Sequence, residues 1–284
     1  MMYMAEIDYR LRGRARGVRA GSHPGRASGD GQQFFDLAPF LSKPDASHLD
    51  LRHSLNDPLG ALWVRRQQQL VTIPVWLIAD LSASMDYPGV YSKMDTLADF
   101  VVALSQSACR VGDRFGFLGC DESPRLEWRL PPTRQPTAAQ RLAARLRQFH
   151  PRGSHARGLL RAARLLSSTR ALVFLISDFH LPLPVIRELM LTLHRHEVVP
   201  VVLWDPAESG RVARGNGPAR FTDLETGHER ALWLRADLRE RLLNAFNERR
   251  QRLRETLRSQ GRDPLFLEGS FDAAAVNQYF RAVR

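Results

Sequence analysis

The sequence predicts an α/β protein: a doubly wound, mostly parallel sheet flanked by helices, with an irregular N-terminal arm. Three observations lead there. Val75, Trp76, Leu77, Ile78 and Ala79 form one continuous apolar run, and Ala171, Leu172, Val173, Phe174, Leu175 and Ile176 form another. Runs of that kind suit strands buried on both faces, which is how parallel sheets are packed. From residue 71 onward such strands alternate with helical stretches, the order that crossover connections need. Both runs end in carboxylates and hydroxyls, at the strand ends where doubly wound sheets place ligands.

The elements follow in order. Residues 1–66 are polar and rich in Gly and Arg, with no clean periodicity beyond a short helix at 34–41. They are expected to wrap, as an arm, an α/β domain over 67–284. That domain opens with a strand at 71–81, a helix at 94–110, a strand at 113–119, a short strand at 125–130 and a helix at 137–149. A helix at 156–167, a strand at 171–177, a helix at 184–196 and a strand at 198–204 come next. Residues 210–217 read as loop, and 221–224 with 230–234 as a hairpin across Glu225-Thr226-Gly227. Asp237 with Glu240 resembles a capping box, and Leu238, Leu242, Phe246, Leu253 and Leu257 give the helix it opens an apolar stripe. A strand at 264–267 and a helix at 272–283 close the chain.

Composition narrows the class. With 284 residues, 44% of them hydrophobic, the chain can bury a large core. Its two cysteines, Cys109 in a helical stretch and Cys120 at a strand end, point to a reducing compartment. No basic segment followed by an apolar one opens the sequence, and no apolar run approaches the ~20 residues a bilayer span needs. A cytoplasmic protein is the expectation. The net charge of +11 raises the question of nucleic acid. Lysine occurs only at Lys43 and Lys93, and so strong a bias to arginine reads as genome composition before it reads as a phosphate stripe. Arg10, Arg12, Arg14, Arg16 and Arg19 alternate with small residues in a pattern that suits a phosphate backbone or an acidic protein face. Arg239, Arg241, Arg249, Arg250, Arg252, Arg254 and Arg258 are interleaved with Glu240, Glu248 and Glu255, as on a solvated helix face.

The first apolar run delivers Asp80, Ser82 and Ser84 in the pattern D-x-S-x-S. A spacing of two puts the three oxygens on one side of an extended turn, and hard oxygen donors suit Mg²⁺, Mn²⁺ or Ca²⁺. One carboxylate and two neutral hydroxyls leave a cation ready to take a further carboxylate from outside. The second run ends in Ser177 and Asp178, and Ser154 offers a loop hydroxyl within Gly153-Ser154-His155. An Asp followed by Ser at a strand end is also how the next helix is capped, but caps have no need to converge. His155 and His180 flank these residues; an oxygen site does not favour imidazole, which leaves them surface or supporting roles. Asp121, Glu122 and Asp205 close other strands and read as a solvated rim.

These residues resemble the metal-ion-dependent adhesion site of von Willebrand factor A domains, which draws D-x-S-x-S from one loop, Thr from a second and Asp from a third. The resemblance implies a von Willebrand A-like, Rossmann-type fold and a site made of Asp80, Ser82, Ser84, Ser154 and Asp178, with Ser154 in the place where Thr is usual. Further matches at Gly29-Asp30-Gly31-Gln32-Gln33-Phe34-Phe35-Asp36, Leu49-Asp50-Leu51-Arg52-His53-Ser54, Leu62-Trp63-Val64-Arg65-Arg66-Gln67, Ser84-Met85 and Tyr91-Ser92-Lys93 narrow it. They are similar to a bacterial family catalogued as domain of unknown function fifty-eight, commonly encoded beside MoxR-type AAA+ ATPases. The match runs from about Gly29 to Asp205. Longer relatives carry membrane-spanning helices ahead of this region, so the chain is expected to be a short, soluble member.

Chemistry other than binding finds little support. A haloacid-dehalogenase-type phosphatase needs a carboxylate two residues after its nucleophilic Asp, where this chain has Ser82. Neither G-x-S-x-G nor the P-loop pattern occurs. The resemblance therefore implies a non-enzymatic, Mg²⁺-dependent protein-binding module that takes an Asp or Glu of its ligand at the metal. It would serve as an adaptor for a MoxR-type AAA+ ATPase in the assembly or maturation of other proteins. Two alternatives from other classes stand beside it: a nucleic-acid-binding protein using the Arg-rich arm, and a metal-assisted hydrolase using Asp80 and Asp178.

Overall fold

A computed structural model describes residues 6–11, 20–29, 33–42, 44–153, 156–167, 169–208, 217–222, 229–234 and 236–282. The chain forms two compact units, residues 11–73 and, in the other, the residues up to Arg10 together with those from Pro74 onward.

The first unit is built on an antiparallel sheet of three strands, β1 (Ala20–Gly29), β2 (Gln33–Pro39) and β3 (Trp63–Val71), with β3 in the middle. Two expectations change here. The helix expected at 34–41 is β2, because Phe34, Leu37 and Ala38 find register partners in Gln67, Arg65 and Val64, with a bulge at Phe35. Pairing across the sheet overrides a local pattern that suits a helix. The expected boundary after Arg66 falls inside β3, since pairing with β1 carries that strand on to Val71. The one α-helix among the described residues of the unit, α1 (Leu51–Leu55), is capped by Asp50, whose carboxylate accepts from the His53 amide at 2.9 Å and from Arg65 Nε at 2.7 Å. The alternating arginines at Arg12, Arg14, Arg16 and Arg19 lie outside the described residues.

In the second unit the expected strand at 71–81 begins only at Pro74. It is β4 (Pro74–Asp80), and after it come α2 (Lys93–Arg110), β5 (Arg114–Cys120), β6 (Pro124–Thr133), α3 (Pro136–Arg147) and α4 (Gly158–Arg164). Then follow β7 (Leu172–Ser177), α5 (Leu183–Thr192), β8 (Glu197–Trp204), a hairpin of β9 (Gly217–Thr222) and β10 (Glu229–Leu234), α6 (Ala236–Ser259), β11 (Leu265–Glu268) and α7 (Ala273–Ala282). The central sheet has the order β11-β8-β7-β4-β5-β6. All its pairings are parallel except that of β6, which returns directly from β5 after three residues and so has no length for a crossover.

Helices cover both faces, as a doubly wound sheet requires. Val173 and Leu175 of β7 point into a buried cluster with Leu159, Ile186, Leu189, Leu253 and Leu257 of α4, α5 and α6. Between them Phe174 points the other way, 5.4 Å from Phe100 of α2 and 6.0 Å from Phe280 of α7 between ring centroids. Strand order and two-sided helix layers together give a doubly wound, mostly parallel α/β fold. The chain places β5 on one side of β4 and later β7 on the other, which puts a topological switch point at the carboxyl end of β4. Ile7 and Tyr9 are buried in this unit; the Ile7 amide donates to Ser107 Oγ at 2.9 Å and the Tyr9 hydroxyl to Asp113 at 2.7 Å. Among the described residues no helix is long and apolar enough to cross a membrane.

Candidate metal centre

Adjacent parallel strands β4 and β7 end side by side, with Ala79 paired to Ile176, so Asp80 and Asp178 emerge next to each other at the carboxyl edge of the sheet. Both side chains are buried, Asp80 completely. After Asp80 the chain curls into a 3-10 turn at Ala83–Asp86. Asp80 Oδ1 accepts from the Ser82 amide at 2.9 Å, an Asx-type turn that folds the serines back over the carboxylate. Ser82 Oγ and Ser84 Oγ lie 3.2 Å apart, and the Ser84 hydroxyl also bonds Asp178. Asp80, Ser82, Ser84 and Asp178 are thus brought together. Ser154 lies outside the described residues, but Gly153 before it pairs with the D-x-S-x-S loop: its carbonyl accepts from the Ala83 amide at 2.8 Å. A Cβ on Gly153 would come within 2.5 Å of the Asp121 side chain, so glycine is what lets the loops close up.

The surroundings are as ordered as the site itself. Ser177 donates its hydroxyl to Asp80 Oδ2 at 2.6 Å and accepts from the Phe179 amide at 2.9 Å. Trp204 Nε1 caps the Asp178 carbonyl at 2.8 Å, and Arg249 of α6 caps that of Phe179 at 2.8 Å. Phe179, buried and at φ +54, is the one non-glycine residue with positive φ among those described. A left-handed residue next to Asp178 holds local strain, and these caps are what maintain it.

Electrostatics separate the two carboxylates. Burial, and then the charge of Asp178, push the Asp80 carboxyl above its usual range, against the hydrogen bonds from Ser177 and Ser82. Burial also works upward on Asp178, but His180, Lys93 and the Ser84 hydrogen bond outweigh it and hold that group low. Lys93 Nζ is 3.3 Å from Asp178 Oδ2 and 3.1 Å from the Ser84 carbonyl, and it forms an ion pair with Glu208. Burial pulls the ammonium down, yet Asp178 and Glu208 raise it above its ordinary value, so it stays charged. Asp80, by contrast, pairs with no basic side chain among the described residues. A fully buried carboxylate flanked by two hydroxyls and a second carboxylate fits a hard divalent cation, whose charge would let both carboxyls ionise.

Two expectations about the rim need correction. Asp121 and Asp205 are buried rather than solvated. Asp121 forms an ion pair with Arg125. Asp205 accepts from the amides of Val90, Tyr91 and Ala207 at 3.0, 2.8 and 2.8 Å, clamping the loop ahead of α2. His180 is exposed, stacked on Trp204 at 6.5 Å with its Nε2 4.0 Å from Glu208. His155 lies outside the described residues. Lys93, Ser177 and Glu208 were not among the residues expected at the site. Lys93 carried a signal, as one of two lysines in an arginine-dominated chain. Asp178, His180 and Glu208 each present a ligand atom within 4.8 Å of one another, but both carboxylates of that group are already ion-paired with Lys93.

A family model for proteins of unknown function, DUF58, matches residues 58–252. The chain belongs to the DUF58 family. No curated protein matches it. Among solved structures, this DUF58 chain is similar to the conserved hypothetical protein BatB from Bacteroides thetaiotaomicron, at 13% identity and TM-score 0.45 over 74% of this chain and 98% of that one. It is similar to an aerotolerance-related membrane protein from Bacteroides fragilis, at 14% identity and TM-score 0.41, covering 74% of this chain and 96% of that one. A third is proximal thread matrix protein 1 of the mussel byssus with a zinc-occupied MIDAS motif, at 14% identity and TM-score 0.40, covering 75% of this chain and 47% of that one. At TM-scores below 0.5 these likenesses add nothing to the topology and site geometry described above.

Proposed function

We propose that this DUF58 chain is a non-enzymatic, divalent-cation-dependent protein-binding module. The observation that supports it is the convergence of Asp80, Ser82, Ser84 and Asp178, two carboxylates and two hydroxyls, from the ends of adjacent parallel strands. With Ser154 from the neighbouring loop they would hold Mg²⁺, or Mn²⁺ or Ca²⁺. The ion would supply a coordination position for an Asp or Glu of a protein ligand. Asp80 and Asp178 set the charge, Ser82 and Ser84 contribute neutral oxygens, Ser177 holds the Asp80 carboxylate and Trp204 holds the backbone of Asp178. A MoxR-type AAA+ ATPase is the partner that goes with this proposal, with the pair assisting assembly or maturation of other proteins. A cytoplasmic location, where ATP and Mg²⁺ are supplied, belongs to the same reading.

Calorimetric titration with Mn²⁺ tests the metal. Asp80→Ala should weaken binding at least about 100-fold while circular dichroism shows the fold retained, because the variant removes a buried charge that burial alone disfavours. Equal Mn²⁺ affinity in variant and parent overturns the proposal. ATP turnover by the purified chain, abolished by Asp178→Ala, would replace the binding module with an enzyme.

A further inference from the structure

Lys93 is hard to account for by its secondary structure. It is the first residue of α2, just after the N-cap Ser92, where the helix dipole disfavours a cation, and its side chain is 3% exposed. A lysine so deeply buried needs carboxylate partners to remain charged. It has them in Asp178, a candidate metal ligand, and Glu208, brought in by the turn after β8.

We infer that Lys93 is a built-in counter-cation that trades affinity for the divalent ion against affinity for an acidic ligand. The inference rests on the metal-dependent reading above and adds to it how the site is regulated. Without metal, the ammonium holds Asp178 in place, so the site stays assembled. Asp80, Asp178 and Glu208 supply three negative charges, and Lys93 with a divalent ion supplies three positive ones. With the His180 imidazole beside Asp178 and Glu208, the positive charges of a loaded site at least match the negative ones, and an incoming carboxylate meets a cation whose charge the protein has not already overcompensated. Without Lys93 the loaded site would carry one positive charge fewer. It would grip the metal more tightly and repel the acidic ligand. Metal and acidic ligand are then coupled sites, each raising affinity for the other by the same factor.

The test uses the full chain with Mn²⁺ as probe, then acetate added to the Mn²⁺-saturated protein and followed by water proton relaxation. Lys93→Met should bind Mn²⁺ at least about tenfold more tightly and acetate at least about threefold more weakly. Glu208→Gln should shift both in the opposite directions, because it leaves Lys93 less compensated. A merely structural role for Lys93 would weaken both affinities together. Should Lys93→Met fail to fold, Lys93→Gln, which keeps a donor of similar length, takes its place with the same signs expected. Mn²⁺ affinity unchanged or lower in the neutral Lys93 variants, or acetate affinity not lowered, overturns the inference while leaving the metal reading standing. Absence of Mn²⁺ binding in the parent protein overturns both.

Discussion

β3 and β4 are consecutive strands with two residues between them, and they are held by different forces. Every residue of β4 after Pro74 is buried, and Leu77 lies between Phe117 and Phe174 in register on either side. Each such side chain contributes roughly 1.5–3 kcal/mol by leaving water. β3 reads Trp63, Val64, Arg65, Arg66, Gln67, and among the side chains described along it only Val64 and Val71 are buried. Its hold comes from a ladder on both sides and from polar contacts. Arg65 pairs with Asp50, Arg66 with Asp36, and the Trp63 indole donates to Asp57 at 2.6 Å. Large apolar side chains in the same unit, Leu41, Leu55 and Leu59, stay exposed. One sheet is specified by what it excludes from water, and the other by which polar groups meet.

That contrast can be broken by experiment. The largest effect is expected from Leu77→Ala, which opens a cavity between two aromatic neighbours and should cost about 2–5 kcal/mol of stability in denaturant titration. A loss under 1 kcal/mol would mean that the central sheet is less tightly packed than its burial indicates. Val64→Ala is the matching cut in the small sheet and should cost about 1.5 kcal/mol, in proportion to the two carbons removed. A loss as large as that of Leu77→Ala would show that the small sheet, too, depends on its core.

The smallest effect is that of acid. Hydrogen bonds from the Ser47 hydroxyl and His48 hold Asp45 down to about 2. Asp57 is held low by the Trp63 indole and the Leu59 amide, and Asp50 by the His53 amide and Arg65. A carboxyl whose folded pKa lies below its unfolded value adds stability above the unfolded value and loses it as pH falls through the folded one. The small sheet should therefore loosen between about pH 4 and pH 2. Added salt should shrink this pH-dependent loss by screening the ion pairs of Arg65 and Arg66. Amide spectra should show β3 signals losing dispersion before those of β4; simultaneous loss would erase the distinction.

The same contrast explains which elements could be read from the chain. β4, β7 and α2 were legible because their residues carry the pattern of their burial: unbroken apolar runs for strands covered on both faces, a periodic stripe for the helix. β2 was read as a helix because Phe34, Leu37, Ala38 and Leu41 suit a helical stripe, while its partner Gln67 lies far along the chain. Asp80, Ser82 and Ser84 share one turn, so their spacing reveals them. Lys93 reaches Asp178 across 85 residues and Glu208 from yet another loop, and no local pattern links the three.

By itself, then, the sequence determined the class of fold, the two strand ends that carry the carboxylates and the hard-oxygen character of the donors, because each depends on residue type and short-range spacing. Only the tertiary structure decided that the small sheet is a sheet, that Asp121 and Asp205 are buried clamps, and that a lysine neutralises Asp178. Those features arise where distant segments meet, and their energy lies in pairings that neither partner's local sequence encodes.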